Sequence, residues 1–225
     1  MKTPAVSIDK IVDEQVRKWQ FFKKEKKQAK PIPIITISRE PGSGGRQVAE
    51  DVASRYGLDL FHQEVIHEMA KSAKVSKSLL QTLDEKGVNV LEDSISSLIL
   101  DKYLWPDQYL KHLLKVIGTI GKHGNSVIVG RGANFILPPE ERFRVRIIAP
   151  LEVRIQHVME DFKVSKEDAK RRVIKTESER RAFIRKYFNA DIADPVNYDL
   201  VINMETVTIK TATDIIGALT GLPSR

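Results

Sequence analysis

The sequence predicts an α/β fold, a three-layer sandwich in which helices cover both faces of a mainly parallel sheet of about five strands. Three observations carry this expectation. Short β-branched runs, Ile34-Ile35-Thr36-Ile37, Val127-Ile128-Val129, Val145-Arg146-Ile147-Ile148 and Tyr198-Asp199-Leu200-Val201-Ile202, have the nearly continuous apolar character of strands buried on both faces. Stretches with helical spacing separate them, as crossover connections in a parallel sheet require. A glycine-rich segment follows the first run at once and opens a helix. With 225 residues, 41% of them hydrophobic and 30% charged, the chain has enough apolar material for one core with appendages and too little bias for disorder.

Ser7 to about Lys27 reads as an amphipathic helix, because Ile8, Ile11, Val12, Val16, Trp19 and Phe22 recur three and four apart. Its stripe needs a partner, which the sequence leaves open between the core of the same chain, a second copy (a homo-oligomer through this helix) and a membrane surface. Pro31-Ile32-Pro33 ends it, so residues 1–30 form a basic helical extension and residues 31–225 the main domain. After the first strand, Val48, Val52, Ala53 and Tyr56 have helical spacing, with Gly57 placed to close the helix in a left-handed conformation. Residues 63–123 are mostly helical in pattern, through Val65, Ile66 and Met69 to Leu113, Leu114 and Ile117. Pro150 suits the start of another helix, and Ser165 with Asp168 resembles a capping box opening a long charged one.

The net charge of +7 calls for anionic partners. Much of it lies in Arg17-Lys18 and the run from Lys23 to Lys30, with a second concentration from Lys163 to Lys186. Nucleic acid is not the expected partner, since aromatic platforms interleaved with these charges are missing beyond Trp19, Phe21 and Phe22. The chain has no cysteine, hence no disulfide, thiolate zinc site or thiol nucleophile, which fits a reducing, cytoplasmic setting. No apolar run is long enough to span a membrane, and Met1-Lys2-Thr3-Pro4 does not lead into an export signal. His62 and His67 are five apart, which misses the same-face spacing of a helical ligand pair, and no metal-ligating set is expected.

Chemistry is expected at Ser38-Arg39-Glu40-Pro41-Gly42-Ser43-Gly44-Gly45-Arg46. Several glycines between a buried strand and a helix let backbone N–H groups approach an anion, and the helix start adds partial positive charge. Against the pattern G-x-x-x-x-G-K-[ST], the fixed positions hold Glu40, Gly45, Arg46 and Gln47. Arg46 keeps the lysine's charge in a forked geometry, while Gln47 lacks the hydroxyl that ligands Mg²⁺, with Ser43 as a substitute helper. A dinucleotide fingerprint would need a further glycine where Gln47 stands. A bare turn would not need four of five successive residues without a bulky side chain between two arginines.

These blocks, together with Val127-Ile128-Val129-Gly130-Arg131-Gly132-Ala133-Asn134, Glu179-Arg180-Arg181 with Arg185-Lys186-Tyr187-Phe188, and Tyr198 to Asn203, resemble the cytidylate kinase-like family of P-loop nucleoside monophosphate kinases over roughly Ile34 to Leu219. The resemblance implies transfer of the γ-phosphoryl group of ATP to a nucleoside monophosphate, CMP or dCMP foremost, with Mg²⁺ bridging the donor phosphates. It implies a helical acceptor-binding insert at about 62–123 and a helical lid at about 163–189. By the same resemblance Gly42, Ser43, Gly44, Gly45, Arg46 and Gln47 hold the donor phosphates, Arg46, Arg181 and Arg185 are catalytic, and Arg39, His62, Arg131 and Asn134 face the acceptor. Two positions depart from the family pattern: Gly132 stands where Gly-Arg-Asp has its aspartate, and His62 stands where the related acceptor segment has an aspartate. These losses, with the missing lysine and hydroxyl, motivate the alternative of a non-catalytic nucleotide-binding protein that retains the fold.

Overall fold

The computed structural model describes residues 8–25, 34–101 and 106–222, and side chains at 8, 9 and 21–25 are outside that description. The lysines from 23 to 30 and the Pro31-Ile32-Pro33 helix stop therefore lie beyond what it shows. Five strands, β1 (Ile34–Arg39), β2 (Asp59–Phe61), β3 (Ser126–Val129), β4 (Arg142–Ile148) and β5 (Leu200–Asn203), form one sheet in the order β2-β3-β1-β4-β5. Every pairing is parallel, with Ile37 opposite Val129 on one side of β1 and opposite Val145 on the other. Four of these strands correspond to the apolar runs. The fifth, β2, is three residues long and carries Asp59, so no continuous apolar run announces it.

Helices α2 (Gly45–Tyr56) and α10 (Ile209–Thr220) cover one face, where Ile35, Ile37, Val48, Val52, Val127, Val145 and Ile216 form a fully enclosed cluster. Each such side chain stabilises the fold by about 1.5–3 kcal/mol relative to exposure. Gly57 closes α2 at φ 66°, the left-handed end the sequence predicts. The other face packs on α3 (Gln63–Lys71), α4 (Ala73–Leu80) and α6 (Gln108–His123), with α5 (Glu85–Asp101) against α6. Helix α1 (Ile8–Glu25) lays part of its stripe on the same chain: Val12 and Trp19 are buried in this second cluster, and Trp19 stacks on His123 with ring centroids 3.9 Å apart. Gln15 and Lys18 both reach Asp59 at the start of β2.

The short α7 (Ala133–Ile136) follows β3, α8 (Leu151–Phe162) follows β4, and the long α9 (Lys166–Phe188) follows α8. Ser165 caps α9 at the expected position by accepting from the Asp168 N–H at 3.1 Å, while the Asp168 carboxylate accepts the Ser165 hydroxyl at 2.9 Å in place of the Ser165 N–H that a full capping box would use. Asp191 and Asp194 each accept a backbone N–H two residues on, as turn residues do. The chain leaves β1 toward β2 at one edge of the sheet and leaves the neighbouring β4 toward β5 at the other, so a crevice opens at the carboxyl ends of the central strands, the place where open α/β sheets bind ligands. Among the described residues no helix is long and apolar enough to cross a membrane.

Candidate active site

Two adjoining cavities occupy that crevice. The larger, about 650 Å³, is lined by the glycine loop from Pro41 to Gln47, by His157 and Phe162 of α8, by Arg172 of α9, and by Met204 to Ile209 after β5. The smaller, about 180 Å³, is lined by Gln63, Gly130, Arg131, Gly132 and Asn134 on one wall and by Glu179, Phe183, Ile184 and Ile192 on the other. Arg39, Thr176 and Arg180 line both. The crevice is therefore a two-chamber cleft with two guanidinium groups at its waist.

The loop is built to face an anion. Gly42 and Gly44 take φ of 77° and 80°, conformations that cost other residues energy, and Gly44 caps α2 without any side-chain bond. No acidic residue occupies the first turn of α2, so its amides and dipole stay directed at the cavity. Three supports hold the loop. Ser43 donates to the carbonyls of Glu40 at 2.9 Å and Ile147 at 3.3 Å, His157 Nδ1 lies 2.8 Å from the Gly42 carbonyl, and the Glu40 carboxylate accepts the Ala149 N–H at 3.2 Å. The Ser43 side chain thus looks inward, with the residue 1% exposed, so it is not free to replace the missing magnesium hydroxyl.

Of the residues expected at the donor phosphates, Gly42 to Gln47 all line the larger cavity. Arg46 lies at its rim, with its side chain 65% exposed and Nε 3.0 Å from Glu50. On the acceptor side Arg39, Arg131 and Asn134 come together in the smaller cavity, whereas His62 caps α3 and places Nε2 3.5 Å from Glu50, outside both chambers. Burial lowers the His62 pKa, and the nearby Arg46 charge lowers it further. Arg131 takes φ 53°, reaches the Gln63 carbonyl at 3.5 Å and lies over the Phe183 ring at 5.2 Å. Asn134 is 6% exposed, and its Nδ2 has no hydrogen-bond partner among the described residues.

On α9 the arginine that lines the chambers is Arg180. Arg180 faces the cleft and donates to the Arg39 carbonyl at 2.9 Å. Arg181 runs along Glu177 at 3.1 Å and Arg185 is exposed, and neither lines a chamber in this conformation. The phase of the helix explains this: Ala169, Val173, Ile184 and Phe188 are its buried positions, and Arg180 lies seven residues after Val173 and four before Ile184. That apolar phase was the available signal.

The electrostatics at the waist are lopsided. Burial pushes the Arg39 pKa down to about 9, with the Arg180, Arg131 and Arg46 charges adding to the effect and Glu64 opposing it. Arg180 is pushed down to about 10, by burial first. Such a cluster is destabilising until an anion enters it.

Gly132 has a steric reason to be glycine. It sits at φ 71°, and a Cβ there would collide with the Phe188 ring, which itself stacks on Phe135. Where the family pattern has an aspartate, this chain has an aromatic side chain against the backbone.

The chain from residue 34 to 206 matches the model of the cytidylate kinase-like family. The chain belongs to the cytidylate kinase-like family. Curated relatives include the cytidylate kinase of Desulfurococcus amylolyticus, 29% identical over 188 residues, covering 82% of this chain and 91% of that protein. The cytidylate kinase of Staphylothermus marinus is 26% identical over 184 residues, covering 81% and 93%. Among solved structures, an uncharacterized protein from Eubacterium ventriosum superposes with a TM-score of 0.68 at 25% identity, over 84% of this chain and 98% of that one. In this member of the cytidylate kinase-like family, the match spans the loop, the Gly130-Arg131-Gly132 turn and the lid-like α9 alike.

Proposed function

We propose that the protein transfers the γ-phosphoryl group of ATP to a nucleoside monophosphate, with CMP and dCMP the first acceptors to test. The observation that carries this is the two-chamber cleft: an amide-lined loop on one side, a smaller basic pocket on the other, and Arg39 and Arg180 where they meet. Phosphoryl transfer needs little covalent help from protein, and positioning with charge neutralisation supplies most of the acceleration. The loop amides from Gly42 to Gln47 orient the donor phosphates, with Arg46 at their outer edge. Arg131 and Asn134 orient the acceptor, the buried Nδ2 of Asn134 donating to an acceptor oxygen. Closure of α9 against the loop would exclude water that would otherwise hydrolyse the donor.

Mg²⁺ fits this cleft as a largely hydrated ion carried on the donor phosphates, and when bound it supplies charge neutralisation there. Gln47 offers an amide oxygen and Glu64 a carboxylate on the wall of the larger cavity, a sparse set that suits a cation keeping several waters. Among the described residues no three histidine or acidic groups gather as a metal site.

An assay of ADP formation from ATP and Mg²⁺ with CMP, dCMP, UMP and AMP tests the proposal. Turnover with at least one pyrimidine monophosphate is expected, and ATP hydrolysis no faster with any acceptor than without would contradict it. The inward Ser43 hydroxyl and the Arg46–Glu50 pair favour one rival, a protein that binds ATP and transfers nothing. Tight ATP binding with no ADP formed is its signature.

A further inference from the structure

We infer that Arg39, the residue immediately before the phosphate loop, is the cation that meets the phosphoryl group in transit, a duty the loop pattern would give to Arg46. This rests on the phosphoryl-transfer reading above and names the group that carries its chemistry.

Place is the first ground. Arg39 ends β1 and lines both chambers, as a group acting on a phosphoryl moving between them must, whereas Arg46 lines the donor chamber alone. Availability is the second. Arg46 is already paired with Glu50 and largely solvated, so its field is screened. Among the described residues the Arg39 guanidinium makes no hydrogen bond or ion pair, although it is half-buried beside Arg180 and Arg131. Retaining an unpaired guanidinium among like charges costs stability, and functional sites are where such costs are tolerated.

Clearance is the third ground. A Cβ on Gly130 would lie 2.5 Å from Arg39 Nη1, and a Cβ on Gly45 would lie 2.5 Å from Arg39 Cβ. Two glycines on different elements thus make room for this one side chain, the first beneath its tip and the second beside its root. The guanidinium lies in a fitted channel toward the waist of the cleft.

In the reaction, an oxygen of the acceptor's phosphate forms a bond to the γ-phosphorus while the bond to the bridging oxygen of ADP breaks, and ADP leaves with the electron pair. No proton has to be moved from an acceptor phosphate oxygen already ionised. Negative charge spreads over the three equatorial oxygens in transit. The planar fork of Arg39 can pair with two of them, while Arg180 approaches from α9.

The test compares Arg39→Gln, Arg39→Lys and Arg46→Gln with the wild type, by kcat and KM for both nucleotides, by calorimetric affinity for ATP and inorganic triphosphate, and by thermal midpoint without ligand. Arg39→Gln should lose about 10²–10³-fold in kcat, the scale of one preorganised transition-state donor, with KM changed far less. Arg39→Lys should recover part of that loss, and Arg46→Gln should fall by about tenfold or less. Unliganded Arg39→Gln should melt at or above the wild-type temperature, because it removes like-charge repulsion. A kcat for Arg39→Gln within about threefold of wild type, or a larger loss from Arg46→Gln, would overturn the inference while leaving the kinase reading intact. If the wild type binds ATP but turns over no acceptor, the binding arm decides: Arg39→Gln must lose at least about tenfold in triphosphate affinity and more than Arg46→Gln. A wild type that binds neither ATP nor triphosphate overturns both.

Discussion

Two groups of arginines lie around the same sheet and have opposite surroundings. Arg144 and Arg146 of β4 and Arg154 of α8 are matched, whereas Arg142 at the start of β4 meets only the Leu137 carbonyl and keeps a buried Nε without a partner among the described residues. Arg144 forks onto Asp199 at 2.6 to 3.2 Å, and Arg146 donates to Ser38 at 2.8 Å. Arg154 donates to the Ala149 carbonyl at 3.0 Å and to Glu177 at 2.9 Å, with Glu40 a further 3.4 Å contact. At the waist of the cleft Arg39, Arg131 and Arg180 face one another, and Arg180 Nε is buried with no partner among the described residues. Acids hold Arg144 and Arg154, while no acid lies within ion-pair distance of Arg39, Arg131 or Arg180 among the described residues, which is what the proposed role as an anion receptor requires. Through Arg154 the matched group joins the glycine loop to α9: Glu40 belongs to the loop and Glu177 to the helix. Burial alone would raise the Glu177 pKa, but hydrogen bonds from Arg154 and Arg181 outweigh it and keep the carboxyl ionised.

Exchanging the two behaviours is the way to break this comparison. Arg180→Met should lower kcat/KM by about 10²-fold or more with an unfolding midpoint unchanged or raised. Arg154→Met should instead cost about 3 kcal/mol of stability in urea unfolding, because it leaves Glu40 and Glu177 without their shared partner. If Arg180→Met destabilises as much as Arg154→Met, the distinction between receptor and scaffold fails. The smallest effect lies at Asp199. Hydrogen bonds from Arg144 hold its carboxyl below the ordinary aspartate range. Its contribution is therefore complete above the unfolded pKa of about 4 and disappears as pH falls through the lower native value. Asp199→Asn should cost about 1 kcal/mol near neutral pH, without loss of turnover, and nothing once the wild-type carboxyl is protonated. A difference that persists under that acid condition would mean the pair is not what Asp199 contributes.

The sequence made much of the fold legible, for local reasons. Strands buried on both faces must be apolar throughout, which exposes Ile34 to Ile37 and Val127 to Val129, and the glycine loop announces itself by composition. Strand β2 was hidden because three residues carry no period. In the site, Arg39 and Arg131 were readable as residues at strand ends, where ligands gather, and Asn134 through the family resemblance alone. Arg181 and Arg185 were expected from the family resemblance, and the apolar phase that turns Arg180 inward is faint in a helix so rich in charge. The inward Ser43 hydroxyl is set by the Glu40 carbonyl and, across the sheet, by the Ile147 carbonyl, while the outward Arg46 follows a local i,i+4 pair with Glu50 along α2. A motif spacing cannot report either.

The central claim is that the waist between the two chambers is where the phosphoryl group passes. A crystal structure with a nonhydrolysable ATP analogue, Mg²⁺ and CMP bound together tests it most directly. The account predicts the γ-phosphate within hydrogen-bond distance of both Arg39 and Arg180, with the CMP phosphate on Arg131 in the smaller chamber. A γ-phosphate held by Arg46 and out of reach of Arg39, or a CMP bound outside the chamber of Arg131 and Asn134, would contradict it.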